Sequence, residues 1–232
     1  PIFQEKNIGR GVHNYLTVHK AAMGEYIAHV DGDDYCLPGK LQAQVDLLDK
    51  DPSCNIVFHR MLVEEPTGEI REGALQNVHH IEEMRFSRGD LIQFMAIGSH
   101  SSKMYRKTVR DFFVPDFGVI DYYTHVEHIR DGVARFAGYE NYGVYRAGIG
   151  ISSDGIKTRE VLAACFYYFY IKYPEHRLQV NTASLIYFVS DLKNGRESWP
   201  MFFLVWARTF HIGSVFNMIR SLKFLRELRT KK

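Results

Sequence analysis

Three acids crowd one short stretch of this chain, Asp31-Gly32-Asp33-Asp34-Tyr35. They follow directly on the apolar run Tyr26-Ile27-Ala28-His29-Val30. A strand that delivers several carboxylates to one point calls for a cation to offset their repulsion. In open α/β sheets, ligands bind just beyond the carboxyl ends of the strands. Hard cations such as Mg²⁺ and Mn²⁺ take oxygen ligands and share them with substrate phosphates. The pattern points to a metal-held diphosphate, with a solvated acidic turn as the plainer alternative. An EF-hand calcium loop does not fit. Tyr35 and Cys36 stand where its next ligand and its turn glycine belong, and no Glu follows at the twelfth position.

Other candidate clusters are weaker. His79-His80 with Glu82-Glu83 hints at a metal, but adjacent histidines point apart on a strand. His125 and His128 are spaced for one helix face, yet no HExxH pattern accompanies them. Surface or packing roles are expected for all four histidines. No G-x-S-x-G nucleophile elbow is present.

The elements that must position these residues follow from periodicity. Val12, Leu16, His19 and Met23 recur at helical spacing, and Gly24 is expected as a left-handed cap. Residues 25–30 form the strand that delivers Asp31. Pro38 opens a helix whose buried stripe is Leu41, Val45 and Leu48, and Asp51-Pro52 ends it. A strand is expected over 55–63, a turn at Pro66-Thr67-Gly68 and a return strand at 69–71. A helix over 87–97, a strand over 100–106, a helix over 121–132 and a short strand over 143–146 come next. This order predicts an α/β fold with a parallel sheet. Ser152-Ser153-Asp154-Gly155 is a hinge-like candidate boundary, and helices broken near Pro174, Asn194-Gly195 and Pro200 fill the rest.

The flanks of the acidic motif add a resemblance. Asn7-Ile8-Gly9, Asn14, Ala21-Ala22-Met23-Gly24-Glu25-Tyr26-Ile27 and Pro38-Gly39-Lys40-Leu41 with Gln44-Val45 surround it. Together these resemble the GT-A glycosyltransferases of family 2, densely over residues 7–48 and more loosely to about Ser152. The resemblance implies a GT-A-like (Rossmann-like), mostly parallel sheet flanked by helices, with a helical C-terminal appendage. It divides the chain into a catalytic domain over 1–152 and a helical region over 153–232. It also implies that the first strands of the family's domain, which hold base and ribose, do not precede Pro1, so an N-terminally truncated catalytic domain is expected.

The resemblance carries roles residue by residue. Asp33 is the main metal ligand, with Asp31 at the ribose or metal shell and Asp34 in support. Mn²⁺ or Mg²⁺ is the expected cofactor, completed by the donor's diphosphate. Asn7 and Gly9 belong to the donor site. Gly118-Val119-Ile120-Asp121-Tyr122-Tyr123 matches the segment that supplies the base, which makes Asp121 the candidate. Asp is also a favoured helix N-cap, and Asp116 is the fallback base. Tyr145-Arg146 resembles the family's Tyr-Arg, so Arg146 can reach a phosphate or pair with a carboxylate. Ala147-Gly148 stand where many members carry a metal-binding Val-His. A base on one face and a leaving diphosphate on the other imply in-line displacement with inversion. The expected activity is that of a hexosyltransferase acting on a glycan or lipid-linked acceptor in bacterial surface polysaccharide synthesis. A non-catalytic or decayed sugar-nucleotide-binding module is the rival, and a nucleotidyltransferase is a third reading.

Bulk properties set limits. A formal charge of +2 over 232 residues does not suggest nucleic acid. Cys36, Cys54 and Cys165 form no CxxC pattern and suit a reducing compartment, so a cytoplasmic location is expected. The tail from Ser198 combines aromatics with Val215, Met218, Ile219, Leu222, Leu225 and Leu228 at helical spacing, and with Arg and Lys on another face. Such a helix is expected either to lie peripherally on the inner face of a membrane or to pack on protein.

Overall fold

The computed structural model describes residues 2, 11–73, 75, 78, 80–95, 97–148 and 155–227. Asn7, Gly9 and the boundary at 152–153 lie outside these residues. Strand β3 (Cys54–Glu64) is the spine of the fold. Its alternating pattern sends Ile56 and Phe58 to one face and Val57 to the other. Beside it run β6 (Val133–Arg146) in parallel and β5 (Met104–Arg106) antiparallel. Outside these lie β1 (Tyr26–Ala28) against β5 and β2 (Tyr35–Cys36) against β6, so the order is β1-β5-β3-β6-β2. The return strand β4 (Ile70–Glu72) pairs with the end of β3.

The α/β class and the flanking helices agree with expectation, but the sheet is mixed and not mostly parallel. Among the described pairings only β3 with β6 is parallel. The physical reason is connectivity. The chain passes from β4 through α3 and the 3₁₀ turn His100–Ser102, and it enters β5 antiparallel to β3. The strand expected over 100–106 is correspondingly shorter.

Helix α1 (Gly11–Ala21) precedes β1. Gly24 is not left-handed, since its φ is not among the positive values; it sits in a bend after α1. Helix α2 (Lys40–Lys50) turns Leu48 and Val45 to the core as expected but is rotated so that Leu41 faces out. Lys40, Gln44 and Leu48 are buried while Leu41 is 59% exposed. Polar bonds set this rotation. Lys40 Nζ donates to the carbonyls of His29 (3.0 Å) and Ser101 (2.7 Å). Gln44 Nε2 donates to those of Val57 (2.9 Å) and Ser102 (2.8 Å).

The opposite face of the sheet meets α3 (Arg88–Gln93), α4 (Asp121–His128), α5 (Gly155–Lys172) and α6 (Arg177–Lys193) in one apolar core. Ser87 and Asp90 close α3 with a reciprocal capping box. Tyr122 of α4 packs edge-on against Phe166 and Phe169 of α5. The last helices, α7 (Trp199–Arg208) and α8 (Ser214–Glu227), pack on α6. Buried Asp191 ties three helical segments together, accepting from Arg159 (2.5 Å), Ser198 (2.5 Å) and Arg196 (3.1 Å). Buried Arg60 and Glu82 pair at 2.6 Å behind β3, so Glu82 is structural. The described cysteines are all free thiols. No described helix is long and apolar enough to cross a membrane.

Candidate functional site

The acidic motif occupies the turn between β1 and β2 at one end of the sheet. Asp31 is fixed from several sides. Its backbone N–H donates to Ser101 Oγ (3.0 Å), whose hydroxyl donates to Asp31 Oδ2 (3.1 Å). Its Oδ1 lies 2.9 Å from His29 Nε2 and 3.5 Å from His100 Nδ1. Burial pushes this carboxyl up, but the hydrogen bonds from His100 and His29 outweigh it and hold the group far below the usual carboxylate range.

The same His100 Nδ1 lies 3.1 Å from Asp121 Oδ1. Asp31 and Asp121, far apart in sequence, therefore meet across one imidazole. Asp121 is the first residue of α4 and its side chain is 58% exposed, so it faces outward from the helix start. Ile120, not Asp121, is the N-cap, and no side chain caps this end. The cap alternative for Asp121 is thus set aside. Although the side chain reaches solvent, the protein packed around the helix start desolvates and raises the Asp121 carboxyl, the His100 hydrogen bond lowers it, and the net displacement is downward. His100 is raised overall: burial and Lys103 push it down, and the bonds to Asp121 and Asp31 more than offset them.

A directional hydrogen-bond chain runs inward from Asp31. The carboxylate only accepts, so His29 donates from Nε2, and His29 Nδ1 accepts from His19 Nε2 at 3.0 Å. His19 Nδ1 then accepts from the Tyr105 hydroxyl. Each imidazole in this chain is neutral, and burial lowers His19 to about 3. His29 and His100 stack with centroids 3.7 Å apart.

Beneath the site lies fully buried Lys103, whose Nζ donates to Thr124 Oγ1 at 2.9 Å. Thr124 in turn donates to the Asp121 carbonyl at 2.9 Å, fixing the first turn of α4. Burial lowers Lys103 to about 7. Gly98 makes this packing possible. Its φ is +72°, and a Cβ there would meet the Phe58 ring at 2.2 Å. The segment leading to His100 can therefore lie directly on β3.

Asp34 and Arg146 come together differently than two side chains would. The Arg146 backbone N–H donates to Asp34 Oδ1 at 3.0 Å, and its guanidinium lies 3.9 Å from Glu64. Burial and the charges of Asp33 and Asp31 help raise the Asp34 carboxyl. Asp33 is half-buried and makes no hydrogen bond or ion pair to a described residue. His29, Asp31 and His100 place ligand atoms within 4.8 Å of one another. A buried His100 Nε2 also lacks a described partner. The Asp33 carboxylate, in one turn with Asp31 and Asp34, adds the oxygen donors that a hard divalent cation takes.

His125 and His128 are buried, as packing roles predict, and both are pushed well below the usual imidazole range by burial. His80 meets Glu83 at 3.4 Å on the surface, and His79 lies outside the described residues. Sequence reasoning missed His29, His100, Ser101 and Lys103. His29 carried a signal, since it stands two residues before Asp31 on the same extended segment. His100 carried none.

Residues 2–111 match the model described as glycosyl transferase family 2. Uncharacterized protein Rv1520 of Mycobacterium tuberculosis is 46% identical over 65 residues, 27% of this chain and 18% of that protein. Uncharacterized protein Mb1547 of Mycobacterium bovis gives the same figures. The match thus spans less than a fifth of these curated relatives. The crystal structure of S. aureus TarS 1-349 in complex with UDP-GlcNAc superposes with a TM-score of 0.59 at 15% identity. It covers 97% of this chain and 64% of that one. A second S. aureus TarS structure gives a TM-score of 0.53 at 14% identity, over 78% of this chain and 31% of that one. These likenesses establish a GT-A-like fold with a helical C-terminal part. Motif, fold and family model thus agree, and residues 2–111 of this chain match glycosyl transferase family 2.

Proposed function

We propose that this chain carries the catalytic region of an inverting, metal-dependent glycosyltransferase. It moves a sugar, of hexosyl type, from a nucleotide-diphosphate donor to a glycan or lipid-linked acceptor in bacterial surface polysaccharide synthesis. One observation carries the reading: His100 Nδ1 sits 3.5 Å from Asp31 and 3.1 Å from Asp121, which brings the donor-side acid and the candidate base to one point. The UDP-GlcNAc bound to the TarS relative supports a nucleotide-sugar donor.

Asp33 and Asp34, with Asp31 beside them, would hold a divalent cation, Mn²⁺ or Mg²⁺. When bound, that ion neutralises charge on the leaving diphosphate. Asp121 accepts the proton of the acceptor hydroxyl as the new bond forms. Its lowered carboxyl keeps it ionised at neutral pH, ready to accept. His100 donates to both acids and fixes their spacing, and Lys103 and Thr124 fix the helix turn beneath. Positioning supplies the rest. The test is a panel of nucleotide sugars assayed for release of nucleoside diphosphate, with and without divalent ions. Metal-dependent turnover of one donor supports the reading. A protein that binds a nucleotide sugar and never turns it over points to the non-catalytic module instead.

A further inference from the structure

Helix α8 meets the core through a mixed inner side: Phe224 packs against Phe86 and Phe94, while Ser214 and Ser221 are buried and Asn217 is half-buried. Gln93 of α3 donates Nε2 to Ser221 Oγ at 2.8 Å. Asn217 Nδ2 donates to Gln93 Oε1 at 2.6 Å and lies 3.0 Å from Thr182 Oγ1 of α6. These bonds fix the rotation of the helix about its axis. Its outer side is therefore held apolar, with Val215, Phe216, Ile219 and Leu222 exposed, Phe216 at 68% and Ile219 at 57%. The turn before it adds exposed Phe210 and Ile212, the latter 76% exposed. A helix facing water carries polar residues on its outer side in place of such an apolar row.

Charge selects what covers this face. Arg208, Arg220 and Arg226 are exposed beside the apolar residues. From Ser214 onward the sequence holds Arg220, Lys223, Arg226, Arg229, Lys231 and Lys232 against Glu227 alone. Pairing with a second copy about a two-fold axis would press these cations against their own kind. An anionic headgroup layer suits both features. Phe216, Ile219 and Ile212 enter the acyl boundary, and the guanidinium groups meet phosphates. We propose that the outer face of α8, with Phe210 and Ile212, docks this protein on an anionic lipid bilayer, without crossing it.

The test is flotation of the full chain with vesicles of neutral phosphatidylcholine, or with about a third anionic phosphatidylglycerol, matching the basic face. The expected result is binding to the anionic vesicles that weakens with added salt. Phe216→Asp with Ile219→Asp should lower the bound fraction about tenfold or more, because the apolar insertion is lost. Both side chains are exposed, and unchanged circular dichroism confirms that the variant folds. Arg220→Glu with Arg226→Glu should abolish the preference for anionic lipid. Equal or absent binding to both vesicle types overturns the proposal. So does a dimer in light scattering that Phe216→Asp dissolves while vesicle binding stays absent; that outcome assigns the face to a second copy.

Discussion

At the scale of single residues, the His100 ring decides how the two acids behave. Nδ1 carries one hydrogen and faces two carboxylate oxygens, so each acid is stabilised in its ionised form. Removing that donor with His100→Phe should raise the Asp121 pKa. The acid limb of the rate profile then moves to higher pH, a shift read directly from initial rates across pH 4 to 8; an unmoved limb would disconnect His100 from the base. Asp121→Asn should lower the turnover number by about 10²–10⁴-fold while calorimetry shows donor binding near normal. If donor binding collapses as well, Asp121 is structural. Asp33→Ala should remove the stimulation by Mn²⁺ or Mg²⁺, because its carboxylate is the one with no described protein partner. Stimulation that survives the substitution would place the ion at His29, Asp31 and His100 alone.

At the scale of elements, the strand-to-acid turn was legible because an apolar run ending in carboxylates has few other uses. The spacing of Pro38, Gln44 and Asp51 located α2, and its buried face was legible at Val45 and Leu48 but not at Lys40, Gln44 and Leu41. That face is set by Lys40 and Gln44 reaching backbone carbonyls on distant segments, which periodicity cannot see. The same limit hid His100, whose role exists only because Gly98 lets its segment lie against Phe58. Gly98→Ala should therefore destabilise the fold by about 3 kcal/mol, combining a forced contact with an unfavourable φ. Urea unfolding measures this, and a midpoint equal to the parent's would show that the ring moves aside freely. The mixed sheet was missed because strand direction depends on how the connections cross the sheet, and the path through α3 and the 3₁₀ turn into β5 leaves no periodic trace of that direction.

At the scale of the whole molecule, several basic groups are buried where the protonated form is disfavoured. Burial lowers Lys103 to about 7, His59 to about 4 and His19 to about 3, and holds His125 and His128 well below their usual range. Each binds its proton more readily when unfolded, so each costs stability as pH falls from its unfolded pKa through its folded one. For Lys103 that window runs from about 10.5 down to about 7. For the histidines it opens below about 6.5, and each adds a slope of up to about 1.4 kcal/mol per pH unit. The raised His100 opposes this trend, but it is a single group. Stability measured by urea titration should therefore peak on the alkaline side of neutrality and fall steeply below pH 6. Lys103→Met should flatten the upper part of that curve. A broad acidic plateau would mean that these groups are solvated.

The Asp34 carboxylate and the Arg146 amide share one hydrogen bond at the mouth of the site. That amide is a built-in spectroscopic reporter of the acidic loop. Any ligand that draws electron density from Asp34 weakens the bond. The weakening registers as an upfield nitrogen shift and faster deuterium exchange at a single backbone position on the far strand. Titrating an isotope-labelled sample with manganese-free magnesium would thus announce occupancy of the loop before any sugar is transferred.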